Sequence, residues 1–114
     1  MKKINYVNAA LDDDFTTAWI PLNEGNRTII NGSIIVLLTG LDGVIAGTLN
    51  TYISNDNEDK SGILYDTQTI TADPYELFIS ITTPIQYIKF EILLGTITLI
   101  DALEIDGIFS QEVD

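Results

Sequence analysis

The chain has 114 residues, a length that fits one domain with one hydrophobic core. Its hydrophobic content of 46% is too high for a disordered chain, and more than a quarter of its residues are isoleucine or threonine, whose branched side chains suit β-strands. The formal net charge is −12 and the five cations are scattered, so no basic face is available to bind nucleic acid or an anionic membrane.

Short apolar runs separated by turn residues predict about eight strands. In chain order they are 4–7, 15–22, 33–39, 45–54, 63–70, 75–82, 86–93 and 96–105. No segment is a convincing helix, and none has the roughly 20 uninterrupted apolar residues of a membrane helix. Short connections between antiparallel strands favour an all-β fold, an antiparallel two-sheet β-sandwich that is jelly-roll-like, as a single domain over residues 1–114.

The predicted strand 33–39 is apolar on both faces. Antiparallel strands normally leave one face to water, so the second face must be covered, either inside the fold or by another subunit. Ile35 and Leu37 occupy that second face. We predict that they form an interface together with Tyr52 and Tyr87.

Two strands near the end of the sequence predict core positions. Ile88, Phe90 and Ile92 alternate with polar residues and are expected to face the core. In the last strand, Leu99 and Asp101 both have the phase of the core residues. A lone buried carboxylate is costly, so we expect a bulge or a sheet edge at Asp101.

The sequence contains no histidine and no cysteine. This removes the usual general base near neutral pH, the Ser-His and Cys-His nucleophile pairs, and any disulfide. Serine–lysine and paired-carboxylate chemistry have no supporting motif. We therefore expect no enzyme, no catalytic residue and no bound organic cofactor.

An acidic loop gives the one candidate metal site in the sequence. Asp56, Asn57 and Asp59 supply alternating oxygen ligands of the kind that Ca²⁺ prefers. The EF-hand pattern fails because Lys60 stands where the turn glycine belongs. Two interpretations stay open, a solvated hairpin loop and a calcium site.

One family resemblance covers most of the chain. The segment 47–56 begins Gly-Thr-Leu and ends Ser-Asn-Asp, and it resembles a strand-and-loop signature of small jelly-roll or discoidin-like β-sandwich proteins of tailed-phage virions. The segments that resemble the rest of that pattern are 15–22, 33–36, 86–90 and 95–97. Ala18 and Lys89 depart from it, since serine and arginine are usual there. The resemblance implies a sandwich fold in a capsid decoration, head-fibre base or tail accessory protein, and it implies no active site.

Two functions follow as expectations. The first is a non-enzymatic structural protein of a tailed-phage virion that assembles with other capsid or tail proteins in the host cytoplasm and forms a homo-oligomer, because virus particles are symmetric. The alternative is a carbohydrate-binding β-sandwich module, with or without calcium, that contacts host glycans through Tyr52, Tyr65 or Tyr87. Nucleic acid and membranes are not expected as partners.

Overall fold

A computed structural model describes residues 2–8, 10–22, 29–55, 62–81 and 85–111. These residues form nine β-strands and no helix, so they contain no helix that could cross a membrane. The strands are β1 (Lys2–Asn8), β2 (Phe15–Thr16), β3 (Ile20–Pro21), β4 (Ile29–Gly43), β5 (Thr48–Ser54), β6 (Ile63–Thr69), β7 (Tyr75–Ile81), β8 (Tyr87–Leu93) and β9 (Ile97–Gln111).

The strands form two antiparallel sheets, and the predicted β-sandwich class is confirmed. The first sheet has the order β1-β9-β4-β7, and the second has the order β2-β8-β5-β6, with β3 also paired to β8. Since β2 and β3 both pair with β8, they are two parts of one interrupted strand. Early strands then pair with late ones in mirror order, β1 with β9, β2 and β3 with β8, β4 with β7, and β5 with β6. A chain folded in this way is a hairpin rolled into two sheets, which is the jelly-roll arrangement.

The hydrophobic core consists of the inward-facing side chains of both sheets. Ile34 and Val36 of β4 are fully buried, and they pack in one cluster with Ile88, Phe90 and Ile92 of β8. The alternation of β8 therefore predicted its inner face correctly. Each of these side chains contributes about 1.5–3 kcal/mol by leaving water, so the two sheets are held together mainly by this layer.

The strand β9 changes face near its middle, which the sequence pattern did not predict. Ile100 and Leu103 are both completely buried although they are three residues apart. Leu99, expected in the core, is only half-buried, and Asp101 is exposed. The change of face keeps the carboxylate in water, where its charge costs no desolvation.

The neighbouring strand β4 changes face at the same place. Leu38 and Leu41 are both buried, and Gly40 between them has a φ of 68°. The β4–β9 ladder keeps its register across this point and places Gly40 opposite Asp101. Because both strands turn together, the bend at Asp101 needs no extra residue in either strand. A bulge, one of the two arrangements that we expected at this residue, is therefore absent there, and the nearest register shift of the ladder lies between Asp42 and Gly43.

Candidate functional site

The four residues predicted to form an interface lie on two opposite faces of the sandwich. Ile35 and Leu37 alternate with buried residues of β4, so they lie on the outer face of the first sheet. Tyr52 and Tyr87 lie on β5 and β8 and face outward from the second sheet, where both are half-buried. The four residues therefore belong to two separate surfaces. Their role in an interface stays a prediction.

The outer face of the first sheet carries an apolar stripe made of Ile35, Leu37 and Phe78. Ile35 is 39% exposed and lies directly opposite Phe78 of β7, which is 63% exposed. Leu37 is half-buried beside them. Sequence reasoning missed Phe78, although the alternation of β7 placed that residue on the outer face and would have identified an exposed aromatic ring there.

Carboxylates flank the apolar stripe on both sides. The register places Leu37 opposite Glu76 on β7 and opposite Glu104 on β9, and it places Ile35 opposite Asp106. All three acidic side chains are exposed. The stripe is thus an apolar strip inside an anionic surround.

The outer face of the second sheet carries a groove. This Trp19 groove has a volume of about 740 Å³ and is lined by Thr16, Thr17, Ala18, Trp19, Pro21, Tyr87 and Lys89. Five of these seven residues come from the segment 16–21, which runs from β2 to β3, and the other two come from β8. The sequence predicted one continuous strand over 15–22, whereas the structure interrupts it and gives the groove its wall.

Hydrogen bonds on either side of Trp19 fix this wall against β8. The Thr17 N–H donates to the Phe90 carbonyl at 2.9 Å, and the Phe90 N–H donates to the Thr17 hydroxyl oxygen at 3.1 Å. Beyond Trp19, the Leu22 N–H donates to the Gln86 carbonyl at 2.8 Å. Residues 17–19, between β2 and β3, lie outside the ladder, which places the Trp19 ring above the outer face of β8.

A lysine lies between two aromatic rings in this region. The Lys89 Nζ is 4.5 Å from the centre of the Trp19 ring and 5.5 Å from the centre of the Tyr52 ring. These distances are within the range of cation–π attraction. Of the five cations in the sequence, Lys89 is the one whose side chain the structure describes. The indole Nε1 of Trp19 is shielded from solvent and has no acceptor among the described residues.

A hydrogen-bond network continues from these rings along the outer face. Glu91 Oε1 accepts hydrogen bonds from the Tyr52 hydroxyl at 3.2 Å and from Asn50 Nδ2 at 2.9 Å. The Thr67 hydroxyl donates to Asn50 Oδ1 at 2.6 Å. Burial raises the pKa of Tyr52, and the negative charge and hydrogen bond of Glu91 raise it further. The polar groups beside the groove are therefore held in fixed orientations.

Tyr65 does not share this face with the other two tyrosines of the carbohydrate-binding alternative. Its hydroxyl donates to the Ser80 carbonyl at 3.1 Å, which links β6 of the second sheet to β7 of the first. Trp19 joins Tyr52 and Tyr87 instead. In the sequence, the signal for Trp19 was an aromatic residue close to Pro21, near the end of the predicted strand 15–22.

The candidate calcium ligands Asp56, Asn57 and Asp59 lie outside the described residues. Within the described ranges, no group of three or more acidic, histidine or cysteine side chains is placed to hold a metal ion. The calcium site therefore stays a prediction from sequence.

Neither a protein-family model nor a curated protein matches the sequence. Among solved structures, the chain is similar to PirA, with 9% identity over 95% of this chain and 93% of that chain, at a TM-score of 0.45. It is also similar to VP2 of the infectious bursal disease virus subviral particle, with 19% identity over 95% of this chain and 33% of that chain, at a TM-score of 0.42. The chain thus spans about a third of the VP2 chain. These TM-scores are low, so the strand order and pairing described above define the architecture.

Proposed function

We propose that this chain is a non-catalytic structural protein of a virus particle, in the setting of a tailed phage, and that it attaches to another protein of the particle through the apolar stripe. The observation that carries the proposal is the exposure of Phe78 and Ile35 side by side on the outer face of the first sheet, where β7 is the edge strand and β4 lies next to it. Side chains of this kind at the centre of a polar surround are typical of protein interfaces.

The jelly-roll arrangement is compatible with this role. Viral shell domains use it, but lectin domains and cupins use it too, so the fold alone does not select a function. The apolar stripe favours an assembly function among these, since a strand that is apolar on both faces needs a cover on its outer side. A partner protein supplies that cover.

The charges around the stripe indicate what the partner surface must carry. Two copies that met stripe to stripe would bring Glu76, Glu104 and Asp106 of both copies together, and the whole chain already has a net charge of −12. Like charges brought together across an interface oppose association. We therefore expect an apolar patch on the partner that is surrounded by lysine and arginine, and repeated copies then follow the symmetry of the particle.

Co-sedimentation with particles of the virus that encodes the protein tests this proposal. We expect the wild-type chain to sediment with the particles and Phe78→Ser to remain in solution, because the serine removes the aromatic ring that is the most exposed side chain of the stripe. Val44→Ser is the matched control, since Val44 is 68% exposed and lies outside the stripe. Equal sedimentation of Phe78→Ser and wild type, with both proteins folded, would contradict the proposal.

A charge reversal tests the chemistry of the partner separately. Glu104→Lys places a cation in the surround of the stripe and should weaken attachment, and added salt should weaken the wild-type attachment as well. Attachment that Glu104→Lys strengthens would show that the partner surface is acidic and would reject the basic partner.

A further inference from the structure

We propose that the Trp19 groove binds an uncharged pyranose ring of a glycan. The site lies on the outer face of the second sheet, opposite to the apolar stripe, so this inference does not rest on the proposed assembly function. A protein attached through the stripe would keep the groove open to solvent.

The aromatic side chains of the groove suit one face of a sugar ring. Trp19, Pro21 and Tyr87 give an apolar surface in a groove of about 740 Å³ that is open to solvent, within the size range of ligand sites. A pyranose presents C–H groups on one face and hydroxyl groups around its edge. It can therefore cover apolar rings without leaving its own polar groups unsatisfied.

Polar groups surround those rings with both donors and acceptors. Thr16 and Lys89 line the groove itself, and Glu91, Asn50 and Tyr52 continue from it along the same face. Each sugar hydroxyl donates one hydrogen bond and accepts others, so it needs a mixed set of this kind. Because Glu91 fixes the Tyr52 and Asn50 side chains, these groups need little reordering when a ligand binds.

The charges favour a neutral sugar over an acidic one. The charge of Lys89 faces two aromatic rings, and the Glu91 carboxylate lies two residues along the same strand face. The whole chain carries a net charge of −12. An acidic glycan would approach against this field, whereas an uncharged pyranose experiences no such repulsion.

The fluorescence of Trp19 provides a direct test, because Trp19 is the single tryptophan of the chain. Titration with neutral glucose, galactose and mannose oligosaccharides should change its emission in a saturable way for at least one of them. The sialylated or uronic-acid counterpart of that ligand should bind at least about tenfold more weakly. If none of the neutral oligosaccharides changed the emission, or if an acidic counterpart bound more tightly, the proposal would be overturned.

Variants separate a groove ligand from binding elsewhere. Tyr87→Ala and Lys89→Met should each weaken the neutral ligand about tenfold in calorimetric titration while the circular dichroism spectrum stays that of wild type. Tyr65→Ala is the matched control, since this tyrosine is 38% exposed and lies away from the groove. Binding that survives both groove variants but is lost in Tyr65→Ala would place the sugar elsewhere and reject the proposal.

Discussion

Two phenylalanines of this chain lie in opposite environments, so their substitution distinguishes a role in the core from a role on the surface. Phe90 is fully buried in the centre of β8, whereas Phe78 is 63% exposed on β7. We expect Phe90→Ala to lower the free energy of unfolding by about 3–5 kcal/mol, because it leaves a cavity between the sheets. Phe78→Ala should change it by no more than about 0.5 kcal/mol. Urea denaturation measures both values, and equal losses would contradict the assignment of the two faces.

The Tyr52 hydroxyl makes stability depend on alkaline pH. Burial, followed by the charge and hydrogen bond of Glu91, raises the pKa of Tyr52 above its ordinary value of 10.0. Above that pH the unfolded chain loses a tyrosine proton that the folded chain retains, so unfolding releases a proton. Stability is therefore fully present below pH 10.0 and falls as the pH rises through the folded pKa.

We expect Tyr52→Phe to lose less stability than wild type between about pH 8 and pH 11, since phenylalanine has no proton to release. Urea denaturation across this range measures the slope. Burial and the Asp66 charge also raise the pKa of Tyr75, so part of the alkaline loss should remain in the variant. A slope identical to that of wild type would show that Tyr52 does not contribute.

The burial of a single residue could be predicted from sequence where the two-residue alternation of a β-strand was enough to determine it. Ile88 and Ile92 alternate with polar neighbours, so their burial followed from the pleat of the strand alone. The position of Trp19 could not be predicted in this way. It depends on the bonds that Thr17 makes to β8, between residues 73 positions apart in the sequence.

At the scale of the elements, the shared bend of β4 and β9 depends on one glycine. Gly40 has a φ of 68°, a conformation that costs a residue with a side chain about 1–2 kcal/mol. A Cβ added to Gly40 would also lie 2.5 Å from the Asp101 Cβ, which is too close for any real contact. The Gly40 N–H donates to Asp73 Oδ1 at 3.0 Å, so the bend is tied to the segment before β7 as well.

We expect Gly40→Ala to destabilise the protein more than Gly95→Ala does. Gly95 has a φ of 59°, but an added Cβ there would meet nothing closer than the Ala46 carbonyl at 3.1 Å. Adding Asp101→Gly to Gly40→Ala should return the loss toward that of Gly95→Ala. Thermal unfolding of the four proteins, wild type included, measures the difference. Equal losses for the two single variants would show that Asp101 does not crowd the bend.

Sequence could predict most of the elements but not their interruptions. The approximate ranges of β5 to β8 followed from apolar runs between turn residues. The bend at Gly40 has no periodic signal of its own, because a glycine in the sequence marks either a turn or a bend within a strand, and the apolar pattern does not distinguish them. The division of 15–22 into β2 and β3 was missed because it depends on a contact between distant residues. At the break, the Phe90 N–H donates to the Thr17 hydroxyl, and no local pattern in the sequence indicates this hydrogen bond.

The charge of the whole molecule affects its stability through long-range repulsion. The net charge is −12, and the extents of the fold are 49 × 27 × 21 Å. At about 0.01 M salt the Debye length is about 30 Å, so charges on opposite sides of the molecule still repel one another. At about 1 M it is about 3 Å, and this repulsion is screened.

We therefore expect the melting temperature to rise between about 0.01 M and 1 M sodium chloride, by about 4 °C for each kcal/mol of repulsion removed. Calorimetry measures the shift. Chloride is the suitable anion, because sulfate stabilises proteins by exclusion from their surface and would mask the charge effect. A melting temperature that stayed constant or fell with chloride would mean that the acidic side chains do not repel one another appreciably.

The position of β9 has a consequence for the synthesis of the protein. This strand comes last of the nine, yet it lies between β1 and β4 and hydrogen-bonds to both. The ribosome releases the N-terminus first, so β1 has no strand to pair with until β9 has emerged. The second sheet is likewise incomplete until β8 has emerged, because β8 pairs with β2, β3 and β5. Neither sheet can close strand by strand during translation, and the nascent chain must keep its apolar faces from aggregating until its last two strands have been made.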